Sequence, residues 1–442
     1  MRIFKPYLKV PLFCGGLFCS VAACAALPGS DAAHCSTASD SKAWLKNTIS
    51  DALVYSSELK GAAAGVSSAQ FSMEAEKGQR WPQLRAGLGT PIRNFGHGIE
   101  NKNQSSPSDT SASLNMVTTL YDFGKIASSI ERAGKSLEVA QESENAQRNQ
   151  VAAVTLTSLM ELQEYQQEVE IARRWEIRMA QLVAMMGEIT LHDRGRKSEL
   201  VQAQAKLLQA QTEVQRMESR IRTVQLKLSR LTGRDITLPA CLRWEENSIS
   251  KAAAFSGLED HVLLRLAKAE IASEVASESA AKAARYPTLN WVVSKNTAKN
   301  SIGQENAWYT GVEVSWNLFT GGSASAMQKA AAGRITVSQM KYETQLRELV
   351  YQLNEYLFDR DALLSRAQEY AKLAITSDSV RKMFYEQWSS LGKRSLLDLL
   401  TAENDYFNHQ ISATSTLFSA YRANAGVLVT SSLLLEWLNG TS

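Results

Sequence analysis

The chain has 442 residues, 44% hydrophobic and 21% charged, and its 48 Lys and Arg against 45 Asp and Glu leave a formal net charge of +3. Acids and bases are interspersed without a basic block, which excludes a dedicated nucleic-acid surface. Only 8 prolines interrupt long stretches of Ala, Gln, Glu, Arg, Leu and Ser, a composition that favours extended helix over a compact mixed fold.

Residues 1–24 read as an export signal. Arg2, Lys5 and Lys9 precede a short apolar, small-residue stretch from Val10 to Ala26 that is too short and Gly-rich to span a membrane as a helix. The ending Val21 to Cys24 matches the box before a lipidated cysteine, while Ala23 to Ala25 would serve ordinary cleavage; both processing routes stay open, with Cys24 the lipidation candidate. Export places the remaining cysteines, Cys35 and Cys241, in an oxidising compartment. No later segment carries 18 apolar residues without charge.

From residue 42 the hydrophobic period changes in an order that the chain runs through twice. A helix is expected over about 42–79, followed by two alternating stretches: Pro82, Leu84, Ala86 and Leu88 on one face, then Ala112, Leu114, Met116 and Leu120. The junction LYDFGK, Leu120 to Lys125, opens a helix of roughly 65 residues, about 100 Å long. The turn from His192 to Ser198 reverses the chain into a helix that Gly233 stops. The second copy has a helix at about 257–284, strands carrying Leu289, Trp291 and Val293, then Trp308, Val312, Val314 and Trp316, and the junction LFTGGS, Leu318 to Ser323. A long helix to about Ser389, a turn at SSLGKRS and a return helix to about Val429 complete it. Paired motifs such as RWPQL and RYPTL lie roughly 200 residues apart. The organisation expected is therefore a first repeat over 42–231, an equatorial segment over 232–256, a second repeat over 257–430 and a C-terminal tail over 431–442.

Each strand has the length that a tilted strand needs to cross a bilayer, one apolar and one polar face, and Trp or Tyr at its ends. Two ordinary hairpins on a soluble core would leave the very long helices unexplained. Four strands cannot close a barrel, because open strand edges are not tolerated in lipid, so the chain is expected to assemble; three copies would supply twelve strands. The fold class is an α+β membrane protein, with four strands per chain in a trimeric 12-stranded β-barrel continuous with a long α-helical barrel.

The two junction hexamers, RWPQL and RYPTL at strand starts, and GKRSLLDLLTAENDYF in the second return helix resemble the TolC family of outer-membrane efflux and secretion channels, over about residues 42 to 430. The resemblance implies a homotrimer in the bacterial outer membrane that extends into the periplasm. It also implies a tip that opens against a periplasmic adaptor (membrane fusion) protein and an inner-membrane ABC or proton-driven pump, with outer-membrane lipid around the barrel. Polypeptide (type I secretion) and small-molecule cargo both stay open. The different-class alternative is a periplasmic coiled-coil adaptor or scaffold without its own pore.

The junction glycines Gly124, Gly321 and Gly322, with Asp122, are expected to absorb the bend from strand to helix. The tips around Gly195, Arg196, Gly392 and Lys393 are the expected adaptor contacts, both glycines permitting helix reversal. The resemblance places the periplasmic aperture at Arg394 and Asp398, read as neighbours on one helix face. Thr401 stands where the family has a second carboxylate, and Ser389 where it has an aromatic. Two unpaired thiols and an equatorial Cys35–Cys241 disulfide both stay open, since a common level does not by itself bring the two cysteines within bridging distance. The histidines are scattered without metal spacing and no HExxH, Walker loop or GxSxG occurs, so no enzyme activity, metal or cofactor is expected.

Overall fold

A computed structural model of the chain describes residues 38–90, 110–239, 242–245, 249–298, 305 and 307–439. The export signal, Cys24, Cys35 and Cys241 lie outside the described residues, as does most of the polar loop between the first two strands.

The elements run α1 (Ala38–Tyr55), α2 (Ser57–Gly78), β1 (Gln83–Gly89), β2 (Ser111–Tyr121), α3 (Lys125–His192) and α4 (Lys197–Thr232). There follow α5 (Lys251–Leu258), α6 (Val262–Ala283), β3 (Thr288–Asn296), β4 (Tyr309–Ser315), α7 (Ser323–Ser389), α8 (Leu396–Thr430) and α9 (Leu434–Asn439). The order helix, two strands, long helix, return helix occurs twice. With 68 and 67 residues, α3 and α7 each extend about 100 Å.

The four strands form one antiparallel sheet in the order β1-β2-β3-β4. Its register aligns an apolar row across the sheet: Leu84 opposite Met116, Met116 opposite Val293, Trp291 opposite Val312 and Leu289 opposite Val314. The other face carries Arg85, Asn115, Ser294, Asn290 and Glu313, with Thr119 Oγ1 bonded to Asn290 Oδ1 at 3.2 Å. The apolar face is bare: Leu84, Leu88, Val312 and Val314 are exposed, Leu88 at 83%. Hairpins packed on a soluble core would bury this face. Among the described residues, no helix is long and apolar enough to cross a membrane.

Below the sheet the helices lie side by side. Toward the strands α2 packs on α3, α3 on α6 and α6 on α7; toward the far end α7 packs on α8, α8 on α3 and α3 on α4. One core holds the waist, built around Leu45, Ile49, Leu156, Leu159, Leu228 and Phe418, and a second holds the distal end around Trp175, Leu182, Met186, Leu399 and Phe407.

Two expected boundaries shift. The single helix expected over 42–79 is two helices, because Ser56 leaves the helical conformation (φ −52°, ψ 121°) and its hydroxyl caps α2 by accepting from Leu59 N at 3.2 Å. The non-helical stretch expected from Thr232 to Lys251 ends where α5 begins. Residues 431–439 do not trail: α9 buries Leu434, Trp437 and Leu438 in the waist core, and Trp437 Nε1 donates to Glu245 Oε2 at 3.0 Å.

Candidate functional site

The strand-to-helix junctions are matched residue by residue. In the first, Phe123 (φ 53°) and Gly124 (φ 82°) are both left-handed; in the second, Gly321 (φ 60°) and Gly322 (φ 85°) occupy the same two places. Two successive left-handed residues turn the chain from a strand into a helix, a conformation that costs a non-glycine residue about 1 kcal/mol or more. Phe123 is held there by its ring, edge-on to Tyr121 at 4.7 Å and stacked on Tyr286 at 5.6 Å. Asp122 secures the turn, its carboxylate accepting from Gly124 N at 3.0 Å and Ile126 N at 2.7 Å. Trp81, Tyr121, Phe123, Trp316 and Phe319 are exposed around these junctions, Phe319 at 90%. Apolar rings bordering an apolar sheet face are what a membrane–water interface accommodates.

At the opposite end the two tips are built differently. The first is a single 3-10 turn, Arg194–Arg196, in which Asp193 Oδ1 accepts from Gly195 N at 3.0 Å and Arg196 pairs with Glu199 at 2.7 Å. Gly195 is not among the left-handed glycines, so the expectation that it enables the reversal is corrected: the Asp193 side chain makes this turn. Gly392 (φ 57°) does adopt a left-handed conformation, and the neighbouring Lys393 N closes back on Gln387 O at 3.0 Å.

Arg394 and Asp398 do not share a helix face. α8 starts at Leu396, with Ser395 as its N-cap and Asp398 completing a capping box. Arg394 therefore lies in the turn, its guanidinium 4.3 Å from the centre of the Phe384 ring and its Nε donating to Gln387 Oε1 at 3.1 Å. The Asp398 carboxylate accepts from Ser395 N at 3.2 Å. A spacing of four implied a common face only if the helix already included residue 394, and the cap prevents that.

The stronger ionic assembly lies one turn deeper, and the sequence reading missed it. Glu403 of α8 is buried and accepts from Arg178 Nε of α3 at 2.8 Å, while Arg381 of α7 stands 3.6 Å away. Arg381 also pairs with Asp378, and Lys382 reaches the same carboxylate at 2.6 Å. Burial works against the Asp378 anion, but the hydrogen bonds from Lys382 and Arg381 outweigh it and hold the carboxyl below its ordinary range. Beside the cluster Trp175 stacks on Phe407 at 4.2 Å. One buried carboxylate thus joins three helices. The sequence signal was a charge at a core position, since Glu403 falls at helical spacing among Leu396, Leu399, Leu400 and Phe407. Of the family positions, Thr401 and Ser389 are exposed and outside this assembly.

The family model described as outer membrane efflux protein matches residues 48–234 and 257–425, most of the chain and both copies of the repeated order. The chain belongs to the outer membrane efflux protein family. It is 22% identical over 378 residues to the cation efflux system protein CusC of Escherichia coli O6:H1, covering 82% of this chain and 80% of that protein. The fold is similar to a solved CusC structure (TM-score 0.75, 18% identity, 88% of this chain and 91% of that one). It is also similar to the outer membrane protein VceC of Vibrio cholerae (TM-score 0.73, 17% identity, 89% and 98%). As an outer membrane efflux protein the chain resides in the outer membrane and reaches into the periplasm, with the bare sheet face meeting lipid and the far tips lying on the periplasmic side.

Proposed function

We propose that three copies of this outer-membrane efflux protein close into a channel that carries small molecules from an inner-membrane pump, through a periplasmic adaptor, to the outside. The observation that carries the reading is that the chain is unfinished along both flanks. Among the described residues β1 and β4 each pair on one side only, α2 and α4 end the row of helices on the β1 side, and α7 ends it on the β4 side. The two flanks are different surfaces, so contact is head-to-tail and a rotation must close it into a ring. Three copies give twelve strands with no free edge in lipid. The flanks also expose the apolar residues that such a contact needs: Val337, Phe358 and Ile375 on α7 against Phe71 on α2 and Leu208 on α4.

Small-molecule cargo is favoured over polypeptide by the similarity to a cation efflux system protein. A catalytic role is not part of this reading, and a scaffold without a pore would leave the apolar sheet face without a medium. In the closed state Arg394 and Asp398 border the periplasmic aperture, the exposed turns at Gly195, Arg196, Gly392 and Lys393 meet the adaptor, and the Glu403 cluster holds α3, α7 and α8 together behind the aperture. The purified protein in a planar bilayer is expected to show low conductance that rises in Arg178→Ala and in the pair Arg394→Ala with Asp398→Ala. A protein that assembles as a trimer yet passes no current in any of these forms would overturn the channel reading.

A further inference from the structure

The Glu403 cluster borders a cleft of about 290 Å³ between α3 and α8. Three cations line it, Arg174 and Arg178 of α3 and Arg381 of α7, against a single carboxylate, Glu403. That carboxylate is already engaged by Arg178 Nε at 2.8 Å and by Arg381 at 3.6 Å. Arg381 is also paired with Asp378, and its guanidinium lies 4.7 Å from the centre of the Tyr406 ring. Arg174 is different: among the described residues it makes no hydrogen bond, ion pair or ring contact. It stands four residues before Arg178 on α3, so the two share a helix face, where like charges repel unless an anion lies between them.

The uncharged groups of the lining extend the same imbalance. Gln410 Nε2 donates to Tyr406 Oη at 2.8 Å, which leaves the phenol its own proton to donate. Arg178 spends its Nε on Glu403 and reaches Gln181 Oε1 at 3.4 Å through Nη1, and its Nη2 has no partner among the described residues. The buried Trp175 Nε1, in the same lining, likewise lacks an acceptor among the described residues. Donors therefore outnumber acceptors, whereas polar groups in protein interiors are nearly always satisfied. The rest of the lining is apolar: Ile177 is 59% exposed, Ile171 lies in the same wall, and Trp175 stacks on Phe407. A small cleft with apolar walls and a few convergent donors suits a compact organic ligand that brings the missing acceptors.

We propose that this cleft binds a small organic carboxylate, its two oxygens held by Arg174, Arg178 and the Tyr406 hydroxyl and its apolar body resting on Ile177. The planar fork of arginine matches a carboxylate, and bonds between ionised partners are the strong ones. An inorganic anion would satisfy the arginines but leave Ile177 in water, so the apolar wall selects the organic class. α3 and α8 are inner members of the distal row of helices, and contact along the α2, α4 and α7 flanks leaves the cleft between them open. The site therefore depends on the fold of one chain and not on what passes through an assembled channel.

The test uses the full-length protein in detergent micelles, with isotope-labelled benzoate as the probe and empty micelles as the blank in equilibrium dialysis. One saturable site per chain is expected, with an affinity that falls as salt is raised. Arg174→Gln is expected to weaken binding about tenfold or more, and Arg174→Lys, which keeps the charge but loses the fork, by less. Arg174 makes no contact within the described residues, so the circular dichroism of Arg174→Gln should match that of the wild type. Tyr406→Phe provides a second variant that keeps the ring and removes only the hydroxyl, with a several-fold loss expected. Neutral benzamide should fail to displace benzoate, and inorganic phosphate should displace it only weakly. Absence of saturable binding, an unchanged affinity in Arg174→Gln, or displacement by benzamide or phosphate as effective as by benzoate itself would each overturn the proposal. None of these readouts involves conductance, so a protein that fails as a channel and a cleft that fails to bind are separate results.

Discussion

At the residue scale, the two tip glycines test how far a residue type stands for a conformation. Gly392 is left-handed and has open space where a Cβ would sit, so Gly392→Ala meets backbone strain alone, on the order of 1 kcal/mol. In Gly195→Ala the new Cβ would lie 3.1 Å from Asp193 Oδ1, the far end of a side chain that can shift, and the cost is expected to be well below that. Melting temperatures of the two variants should differ in that order; equal losses would contradict the assignment. His261 carries a pH signature. It is buried at the start of α6, its Nδ1 accepting from Leu263 N at 3.2 Å while the ring bonds to the Val429 backbone, and burial pushes its pKa down to about 4. The folded state holds the neutral ring while the unfolded chain protonates near the ordinary value. The stability from this site is present above about pH 6.5 and is lost as the pH falls toward about 4, by up to about 3 kcal/mol. The acid-side decline in melting temperature should be shallower in His261→Asn. The bond from His261 to Val429 reaches far along the chain, so a reading of the sequence could place His261 without finding that partner, whereas the two tip glycines are decided by their local backbone.

At the element scale, much of the architecture was legible. The strands were recognisable because alternation has period two, and the long helices because recurrence at three and four persists over many turns. The junctions were legible as turns, although the reason Phe123 can replace a glycine was not, because it depends on a ring of Tyr286 far along the chain. The Ser56 break was hidden for a different reason: α1 and α2 form one continuous helical pattern interrupted by a single hydroxyl. Losing that cap in Ser56→Ala is expected to cost about 1 kcal/mol. Asp122→Ala removes a carboxylate that serves two backbone donors and should cost more, about 1–2 kcal/mol, with helical content measured by circular dichroism falling first at the α3 end nearest the sheet.

At the scale of the whole molecule, the sequence argument for assembly rested on counting strands, and the structure adds two flanks to it. Phe358 is 73% exposed on the α7 flank. Placing a charge there in Phe358→Asp is expected to weaken head-to-tail contact and shift mass from trimer to monomer by light scattering, with secondary structure retained. An unchanged trimer would locate the contact elsewhere. The ionic seam behind the tip could not be found from spacing alone, since Glu403, Arg178 and Arg381 come from three helices and only Glu403 announces itself, as a charge among leucines.

The two long helices each run unbroken from the sheet to the tip, which makes them shafts as well as walls. Deleting one residue from the early turns of α3 would rotate everything beyond it by about 100° and turn Glu164, Trp175 and Arg178 away from α8 at one stroke. Deleting seven would nearly restore the angular phase, but would draw the first tip back by about 10 Å while the second stayed in place. A partner that must touch both tips at once would then meet a stepped rim. The near-equality of α3 and α7, 68 and 67 residues, is thus a constraint on the paired copies: change in the length of one shaft must be matched by the other.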